Sequence, residues 1–140
     1  MNQLFFSALV QTYNAHRRMT RTATQGENLS DGYPKVLMNL SQNSGCLQKE
    51  LAEACRVEPA TMTVLLRGMQ NKGLIRKEET HVSGGKRALR IYLTEEGQIM
   101  ADKTVRIFEE TNAKALEGFS EEELVTLCAL LNRVVQNLKD

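Results

Sequence analysis

The sequence predicts a mainly α-helical fold with a small β-wing, in which a winged helix-turn-helix is flanked by dimerisation helices at the N- and C-terminal ends. Two short amphipathic helices follow each other across only about four residues, the spacing of a helix-turn-helix pair. Two alternating segments separated by glycines then predict a hairpin, and long apolar stripes with helical spacing lie near both chain ends. The 140 residues, 41% of them hydrophobic, suit one compact core with helical extensions.

The N-terminal part predicts two helices joined by a loop. A helix over residues 3–24 carries apolar side chains at three- and four-residue spacing, namely Phe5, Phe6, Leu9, Val10 and Tyr13. Residues 25–32 are rich in turn formers and predict a loop. Pro34 suits the first turn of a short helix that ends at residues 43–45 and carries Val36, Leu37 and Leu40.

The helix-turn-helix pair is predicted between residues 47 and 72. Its first helix, residues 47–54, places four apolar side chains on one side: Leu47, Leu51, Ala54 and Cys55. Its second helix, residues 59–72, places four at i, i+3, i+4 and i+7: Met62, Leu65, Leu66 and Met69. The link over residues 55–58 is so short that the second helix must cross the first steeply. Pro59, preceded by Glu58, marks the start of the second helix.

A β-wing is predicted after Gly73, which ends the second helix of the pair. Residues 74–79 and 87–93 predict two strands, since Leu89, Ile91 and Leu93 alternate with polar or aromatic neighbours. Residues 82–86, which include two glycines, predict the hairpin tip.

Two long helices are predicted beyond Thr94. The first runs to about Gly118 and carries along one side Met100, Thr104, Ile107, Phe108, Thr111 and Ala115. Ser120 and Glu123 form a capping box that starts the last helix, whose stripe contains Leu124, Leu127, Cys128, Leu131, Val135 and Leu138. These stripes are too long for a compact winged helix to cover, so we expect a second copy of the chain to cover them. Packing of the two terminal segments on each other is the alternative.

The front of the second helix of the pair suits a DNA groove. With its apolar side buried, the residues that face outward are Ala60, Thr61, Thr63, Val64, Arg67 and Asn71. Short side chains allow the backbone to approach the groove closely. Threonine hydroxyls can bond phosphates or base edges, threonine and valine methyls can touch thymine methyls, and Arg67 can reach a guanine or a phosphate. An ordinary solvent-facing helix more often displays Glu and Lys.

The net charge of +1 conceals an uneven distribution. Residues 56–90 hold eight basic and three acidic residues, whereas the rest of the chain holds ten basic and fourteen acidic ones. A basic middle between acidic flanks is typical of a DNA-contacting module, although a solvated lysine-rich face gives the same count. At the hairpin tip, Lys86 and Arg87 can reach a minor groove, whose negative potential attracts arginine; two solvated turn charges are the alternative.

Four segments together resemble the MarR family of multiple antibiotic resistance regulators: LQKELAEACRVEPATMT at residues 47–63, MQNKGLIRK at 69–77, KRA at 86–88 and LTEEG at 93–97. The order of elements matches this family over essentially the whole chain. The resemblance implies a homodimer that holds a pseudo-palindromic operator in double-stranded DNA, with each recognition helix in a major groove and each wing arginine in a minor groove. The implied function is a sequence-specific transcription regulator, a repressor released from its operator by a small-molecule ligand.

On this basis we expect residues 1–30 to form an N-terminal dimerisation helix and loop, residues 31–94 the DNA-binding lobe, and residues 95–140 the C-terminal dimerisation helices. The predicted DNA-binding residues are Gln48, Pro59, Ala60, Thr61, Thr63, Val64, Arg67, Lys86 and Arg87.

The sequence departs from the family pattern in three places. Leu47 and Glu58 stand at helix starts where the family commonly has serine or threonine, and Gly85 stands where an aspartate often precedes the basic pair. An arginine typical of the recognition helix is missing around Thr63 and Val64. Because of these departures, the rigidity of the wing and the sequence of the operator cannot be carried over from the family, whereas DNA binding is still expected.

The resemblance also implies a crevice between the dimer helices and the DNA-binding lobe, in which a small aromatic or anionic effector binds. Residues that could line it are His16, Arg17, Met19, Tyr33 and Met38. A thiol-based redox-sensing repressor is the alternative, but relatives of that kind carry a reactive cysteine in the first helix, where this chain has none. Cys55 and Cys128 lie on apolar helix faces and should be buried, which leaves Cys46 as the most exposed thiol.

Other function classes find little support in the sequence. The two histidines are accompanied by no carboxylate pair, Gly-x-Ser-x-Gly motif or phosphate loop, so we expect neither a catalytic site nor a cofactor. Three widely spaced cysteines indicate neither a disulfide framework nor a metal site. No signal peptide and no apolar run of about 20 residues is present, so we expect a cytoplasmic protein without a membrane partner. A winged helix that binds other proteins would be favoured by an acidic or broadly apolar front on residues 59–72.

Overall fold

The computed structural model describes residues 2–24 and 32–139. Apart from Gly32, the predicted loop at residues 25–32 lies outside the described residues. Within these ranges the elements are α1 (Asn2–Thr24), α2 (Tyr33–Asn43), β1 (Cys46–Leu47), α3 (Gln48–Cys55), α4 (Pro59–Asn71), β2 (Ile75–Val82), β3 (Lys86–Leu93), α5 (Glu95–Ala115) and α6 (Glu121–Asn137). The predicted fold class, a mainly α winged helix-turn-helix with long flanking helices, is confirmed.

Helix starts are fixed by side chains where the sequence supplies them. At α6, Glu123 N–H donates to Ser120 Oγ over 3.1 Å, and Ser120 N–H donates to Glu123 Oε1 over 3.0 Å, which is the predicted capping box. At α5, Gly97 N–H donates to Thr94 Oγ1 over 3.0 Å. Leu47 and Glu58 provide no side-chain cap to α3 and α4, as their residue types imply.

The core lies where α2, α3 and α4 meet, and α5 and the sheet close it. Its fully buried side chains include Leu37, Leu40, Leu51, Met62, Leu66, Met69 and Ile91. The apolar faces predicted for α2 and α4 are confirmed, with Leu65 half-buried. On α3 the prediction was wrong at one position: Ala54 is exposed and Ala52 is buried instead. An alanine contributes too little to an apolar stripe to fix the rotation of an eight-residue helix.

The sheet has three antiparallel strands in the order β1-β3-β2. β1 was not predicted, because a two-residue strand carries no periodicity. It pairs Cys46 with Ile91 and Leu47 with Arg90. β2 extends three residues beyond the predicted end and pairs as far as Val82 with Lys86, so the two strands of the wing are equally long.

The terminal helices leave large apolar side chains exposed. On α1 these include Leu4, Phe6 and Tyr13, exposed by 74%, 66% and 64%, and no described residue of α6 is buried. α1 contacts α5, where His16 Nε2 lies 2.8 Å from Asn112 Oδ1. The two terminal segments therefore pack on each other only in part: α1 contacts α5, but the apolar faces of α1 and α6 remain open in the described residues.

The N-terminus of α2 packs closely on the middle of α4. Tyr33 is buried, its hydroxyl lies against the Cα of Gly68, and a Cβ added at Gly68 would collide with that hydroxyl. One residue earlier, a Cβ at Gly32 would lie 2.7 Å from Leu65 Cδ2. α4 therefore packs closely against α2 at two positions where the absence of a Cβ allows the approach.

We expect Gly68→Ala to lower the free energy of unfolding by about 1–3 kcal/mol, because the added methyl overpacks this contact. Intrinsic helix propensity predicts the opposite sign, since alanine is favoured over glycine by about 1 kcal/mol. Urea denaturation measures the difference. In a Tyr33→Phe background the colliding hydroxyl is gone and the loss should shrink. An equal loss in both backgrounds would rule out the Tyr33 contact as its cause.

Candidate nucleic-acid interface

The second helix of the pair, α4, buries one side and exposes the other. Met62, Leu66 and Met69 have no exposed surface, whereas the predicted front residues are exposed: Ala60, Thr61, Thr63, Val64, Arg67 and Asn71. The first turn contains no acidic residue. The structure thus places the predicted α4 residues together on one accessible face, with Pro59 at its N-terminal end.

The turn between α3 and α4 sets the angle at which α4 leaves the core. Arg56 closes α3 in the left-handed conformation, with φ 56°. Its N–H donates to Glu53 O, and Val57 N–H donates to Ala52 O, each over 3.1 Å. A residue with a side chain is strained in this conformation, so the two hydrogen bonds and the burial of the helices hold the turn.

Gln48, the first residue of α3, reaches across to the front of α4. Its Nε2 donates to Thr63 Oγ1 over 3.2 Å, and Thr63 Oγ1 donates to Pro59 O over 3.0 Å. Gln48 Oε1 is buried and has no hydrogen-bond partner within the described part of the chain. Sequence reasoning proposed Gln48 and Thr63 separately. Because they are fifteen positions apart on different helices, no spacing rule connects them.

The wing presents its basic residues near its end. Lys86 and Arg87 are exposed and follow a tip, Ser83–Gly85, in which both glycines have positive φ. Arg87 Nε lies 3.6 Å from Glu79 Oε1 on the neighbouring strand, and both side chains are largely exposed. Such surface pairs contribute about 0–1 kcal/mol, so this contact holds Arg87 only weakly.

A second arginine of the wing is held more firmly. Arg76 Nη1 lies 3.0 Å from Glu78 Oε2, and the guanidinium of Arg76 lies 4.2 Å from the centre of the Tyr92 ring. Stacking on an aromatic ring restricts a guanidinium. Of these two arginines, Arg87 is therefore the one available to a partner at the wing.

A cavity of about 310 Å³ lies between α1, α2 and α5. It is lined by Tyr13, His16, Arg17, Thr20, Arg21, Thr24, Pro34, Lys35, Met38 and Phe108. Of the predicted effector residues, His16, Arg17 and Met38 line it. Met19 and Tyr33 do not, because Met19 lies on another face of α1 and Tyr33 packs against α4.

Helical periodicity could have identified the lining residues of α1 that the sequence analysis did not name. The six lining residues of α1 follow the pattern i, i+3, i+4, i+7, i+8 and i+11, which is one helix face and excludes Met19. Lys35 and Phe108 come from helices whose packing against α1 cannot be read from spacing. The cavity therefore combines an apolar interior with basic side chains from two helices.

The cysteine environments differ from the expected ones. Cys55 is buried as predicted, but Cys46 is only partly exposed because it lies in β1. Cys128 is exposed, because no residue of the described ranges covers that face of α6. Burial, reinforced by nearby Glu50, raises the pKa of Cys46; burial also raises the pKa of Cys55. Both thiols therefore carry less reactive thiolate at neutral pH than a free cysteine.

The described ranges, residues 2–24 and 32–139, contain neither a metal site nor a membrane span. No cluster of three or more His, Cys, Asp or Glu side chains could hold a metal ion. No helix there is long and apolar enough to span a bilayer.

Comparison with known proteins connects this geometry to a family. The family model described as MarR matches residues 32–83, which run from the start of α2 to the wing tip. An HTH-type transcriptional regulator of Bacillus subtilis, YybA, is 30% identical over 112 residues, which cover 80% of this chain and 73% of that protein.

Solved structures agree over almost the whole chain. A MarR-family transcription regulator from Listeria monocytogenes, in complex with a 26mer DNA, has a TM-score of 0.82 and 25% identity, covering 95% of this chain and 87% of that one. NadR in complex with 4-hydroxyphenylacetate has a TM-score of 0.75 and 20% identity, covering 91% of this chain and 89% of that one, and shows that the fold is shared.

Proposed function

The chain belongs to the MarR family and is a helix-turn-helix transcription regulator, and we propose that it acts as a homodimer which places α4 of each copy in the major groove of a pseudo-palindromic operator. The observation that carries this proposal is the front of α4, which is exposed, free of acidic residues and opposite a fully buried face. A DNA major groove is about 12 Å wide and admits one helix. The Listeria relative was solved with DNA, which supports the same use of this fold here.

The parts of α4 have different roles in this arrangement. The short side chains Ala60 and Thr61 let the first turn approach the base edges. Arg67, two turns after Pro59, is long enough to reach a guanine or a phosphate. Arg87 on the wing enters the adjacent minor groove, where a cation is favoured by the negative potential.

The dimer forms through the apolar faces of α1 and α6. Leu130, Leu131 and Val135 on α6 are each exposed by 41–49%, and the apolar residues of α1 are similarly open. Residues 1–30 and 95–140 then build the scaffold, and residues 31–94 form the DNA-binding lobe. A twofold dimer presents its two recognition helices about one helical turn of DNA apart, roughly 34–36 Å, which makes the operator pseudo-palindromic.

An effector site is proposed in the cavity between α1, α2 and α5. A volume of about 310 Å³ suits a small aromatic molecule, and Arg17, Arg21 and Lys35 give it a positive potential that favours an acid. Through Pro34 and Lys35 the bound molecule contacts α2 next to Tyr33, which packs on α4. Filling the cavity would therefore shift α4 and release the operator, which makes the protein a ligand-controlled repressor acting in the cytoplasm.

A thiol sensor is the less favoured alternative. Cys46 and Cys55 have raised pKa values, and Cys128 lies on the face of α6 that the dimer would cover. Because the family and the relative are transcription regulators, we infer a binding function and no catalysis.

Leu131→Asp should convert the dimer to a monomer, because it places a carboxylate within the apolar face of α6. Sedimentation velocity measures the change. Val64→Asp is the matched control: Val64 is also an exposed apolar residue, but it lies on α4, so this variant should sediment as the wild type does. If Leu131→Asp remains a dimer, α6 is not the interface.

Arg87→Ala should weaken operator binding by about 1–3 kcal/mol and leave sedimentation unchanged. Glu79→Gln should strengthen binding, because it removes a negative charge 3.6 Å from Arg87 Nε that faces the same phosphates. Fluorescence anisotropy with a duplex selected from random DNA, at several salt concentrations, measures both affinities. If Arg87→Ala binds the operator with the affinity of the wild type, the wing does not contribute to DNA binding.

An aromatic acid should lower operator affinity through the cavity, and 4-hydroxyphenylacetate is the first probe. Its uncharged amide should act more weakly, because the lining cations favour a carboxylate. Met38→Trp should bind DNA but ignore the acid, since the indole occupies the cavity. If the acid weakens DNA binding equally in wild type and Met38→Trp, it binds elsewhere.

A further inference from the structure

The hydroxyl group of Thr63 is engaged within the protein. It donates its single proton to Pro59 O, one turn back along α4, and it accepts a hydrogen bond from Gln48 Nε2. A hydroxyl has one proton and two lone pairs. The proton and one lone pair are thus used, and the amide of Gln48 lies on the oxygen side of the threonine. Donating to an acceptor on a base edge would require breaking the contact with Pro59 O, and only one lone pair remains to accept from a base.

The methyl group of Thr63 is the part that remains available. Thr63 is exposed, and its oxygen is turned toward Pro59 and Gln48, so its methyl points away from them. Ala60 lies three positions before it and Val64, which is 64% exposed, lies next to it. Together Ala60, Thr63 and Val64 form a methyl patch on the front of α4.

We propose that the methyl patch reads the C5 methyl groups of thymine and that Gln48 is the positioning residue that turns Thr63 to do so. This inference rests on the proposed function. Thymine is the one DNA base that displays a methyl group in the major groove, and apolar side chains contact it there. Each half-site therefore contains a thymine under the first two turns of α4.

The environment of Gln48 supports a positioning role. Its side chain borders a hollow between α3 and α4 whose lining includes Ala52, Val57 and Met62. Its Oε1 is buried without a partner in the described part of the chain, so Thr63 is the side-chain contact that the structure shows for this amide. The hydrogen bond to Thr63 is therefore the contact through which this side chain acts on the front of α4.

The first experiment compares thymine with uracil, which forms the same base pair but lacks the methyl group. Wild-type protein selects a duplex from random-sequence DNA, and each thymine is then replaced singly by uracil. We expect a loss of about fourfold in affinity for each contacted methyl. Thr63→Ser, which lacks the methyl group, should abolish the difference in affinity between thymine and uracil at one position of each half-site. Thr63→Val should retain this difference. The remaining positions serve as internal controls in both variants.

The second experiment tests Gln48. Gln48→Met keeps the length and packing of the side chain but cannot donate to Thr63. The ratio of affinities for the thymine and uracil duplexes at the Thr63 position should therefore fall toward one. In a Thr63→Val background there is no hydroxyl to hold, and Gln48→Met should then leave that ratio unchanged. A merely structural role for Gln48 would lower affinity for both duplexes equally in both backgrounds.

The outcomes separate this inference from the proposed function. Tight binding of a selected duplex with no uracil effect at any position overturns the methyl reading and leaves the proposed function intact. If Thr63→Ser retains the difference in affinity between thymine and uracil at every position, a side chain other than Thr63 contacts the thymine methyl, which overturns the inference. An unchanged ratio in Gln48→Met overturns the positioning role. Failure to select any duplex overturns the proposed function, and this inference with it.

Discussion

Burial of the back of α4 is the constraint on which the rest of the structure depends. Met62, Leu66 and Met69 are completely enclosed, and burying side chains of this size stabilises a fold by about 1.5–3 kcal/mol each. A rotation of α4 by one residue, about 100°, would expose these side chains and turn Thr63 or Val64 inward. The face that we propose to meet DNA is therefore determined by what the opposite face buries.

The position of α2 links the cavity to this buried face. Pro34, Lys35 and Met38 line the cavity, while Gly32 and Tyr33, at the start of the same helix, pack against Leu65 and Gly68 of α4. Protein interiors are close-packed, so a displaced helix moves its neighbours and is not absorbed by empty space. Glycine at position 68 leaves Tyr33 in direct contact with the α4 backbone. This contact joins α4 to the helix that lines the cavity.

Features with a strong local signal could be predicted from the sequence, and features that depend on long-range contact could not. The apolar faces of α2 and α4, the capping box at Ser120 and the strand alternation after Leu89 all follow from spacing within one element. β1, the Gln48–Thr63 hydrogen bond and the contribution of Phe108 to the cavity depend on which elements become neighbours. The predicted burial of Cys128 was wrong for a related reason, since this residue is exposed. A residue on an apolar stripe is buried only when a partner covers it, and we propose that for α6 this partner is a second copy of the chain.

The charge distribution suits a regulator that depends on groove contacts. Non-specific DNA affinity comes mainly from neutralised phosphates and rises with the number of basic contacts. This chain has a net charge of +1, and two of the acidic residues, Glu78 and Glu79, lie on the wing beside its arginines. Both features weaken binding to arbitrary DNA. Arg67 is the one charged residue among the front residues of α4, and the uncharged centre of that front, Ala60, Thr63 and Val64, gains little from phosphates and much from a matching set of bases. Discrimination between operator and bulk DNA then rests on the fit of this small surface, which explains why the side chains behind it are so firmly packed.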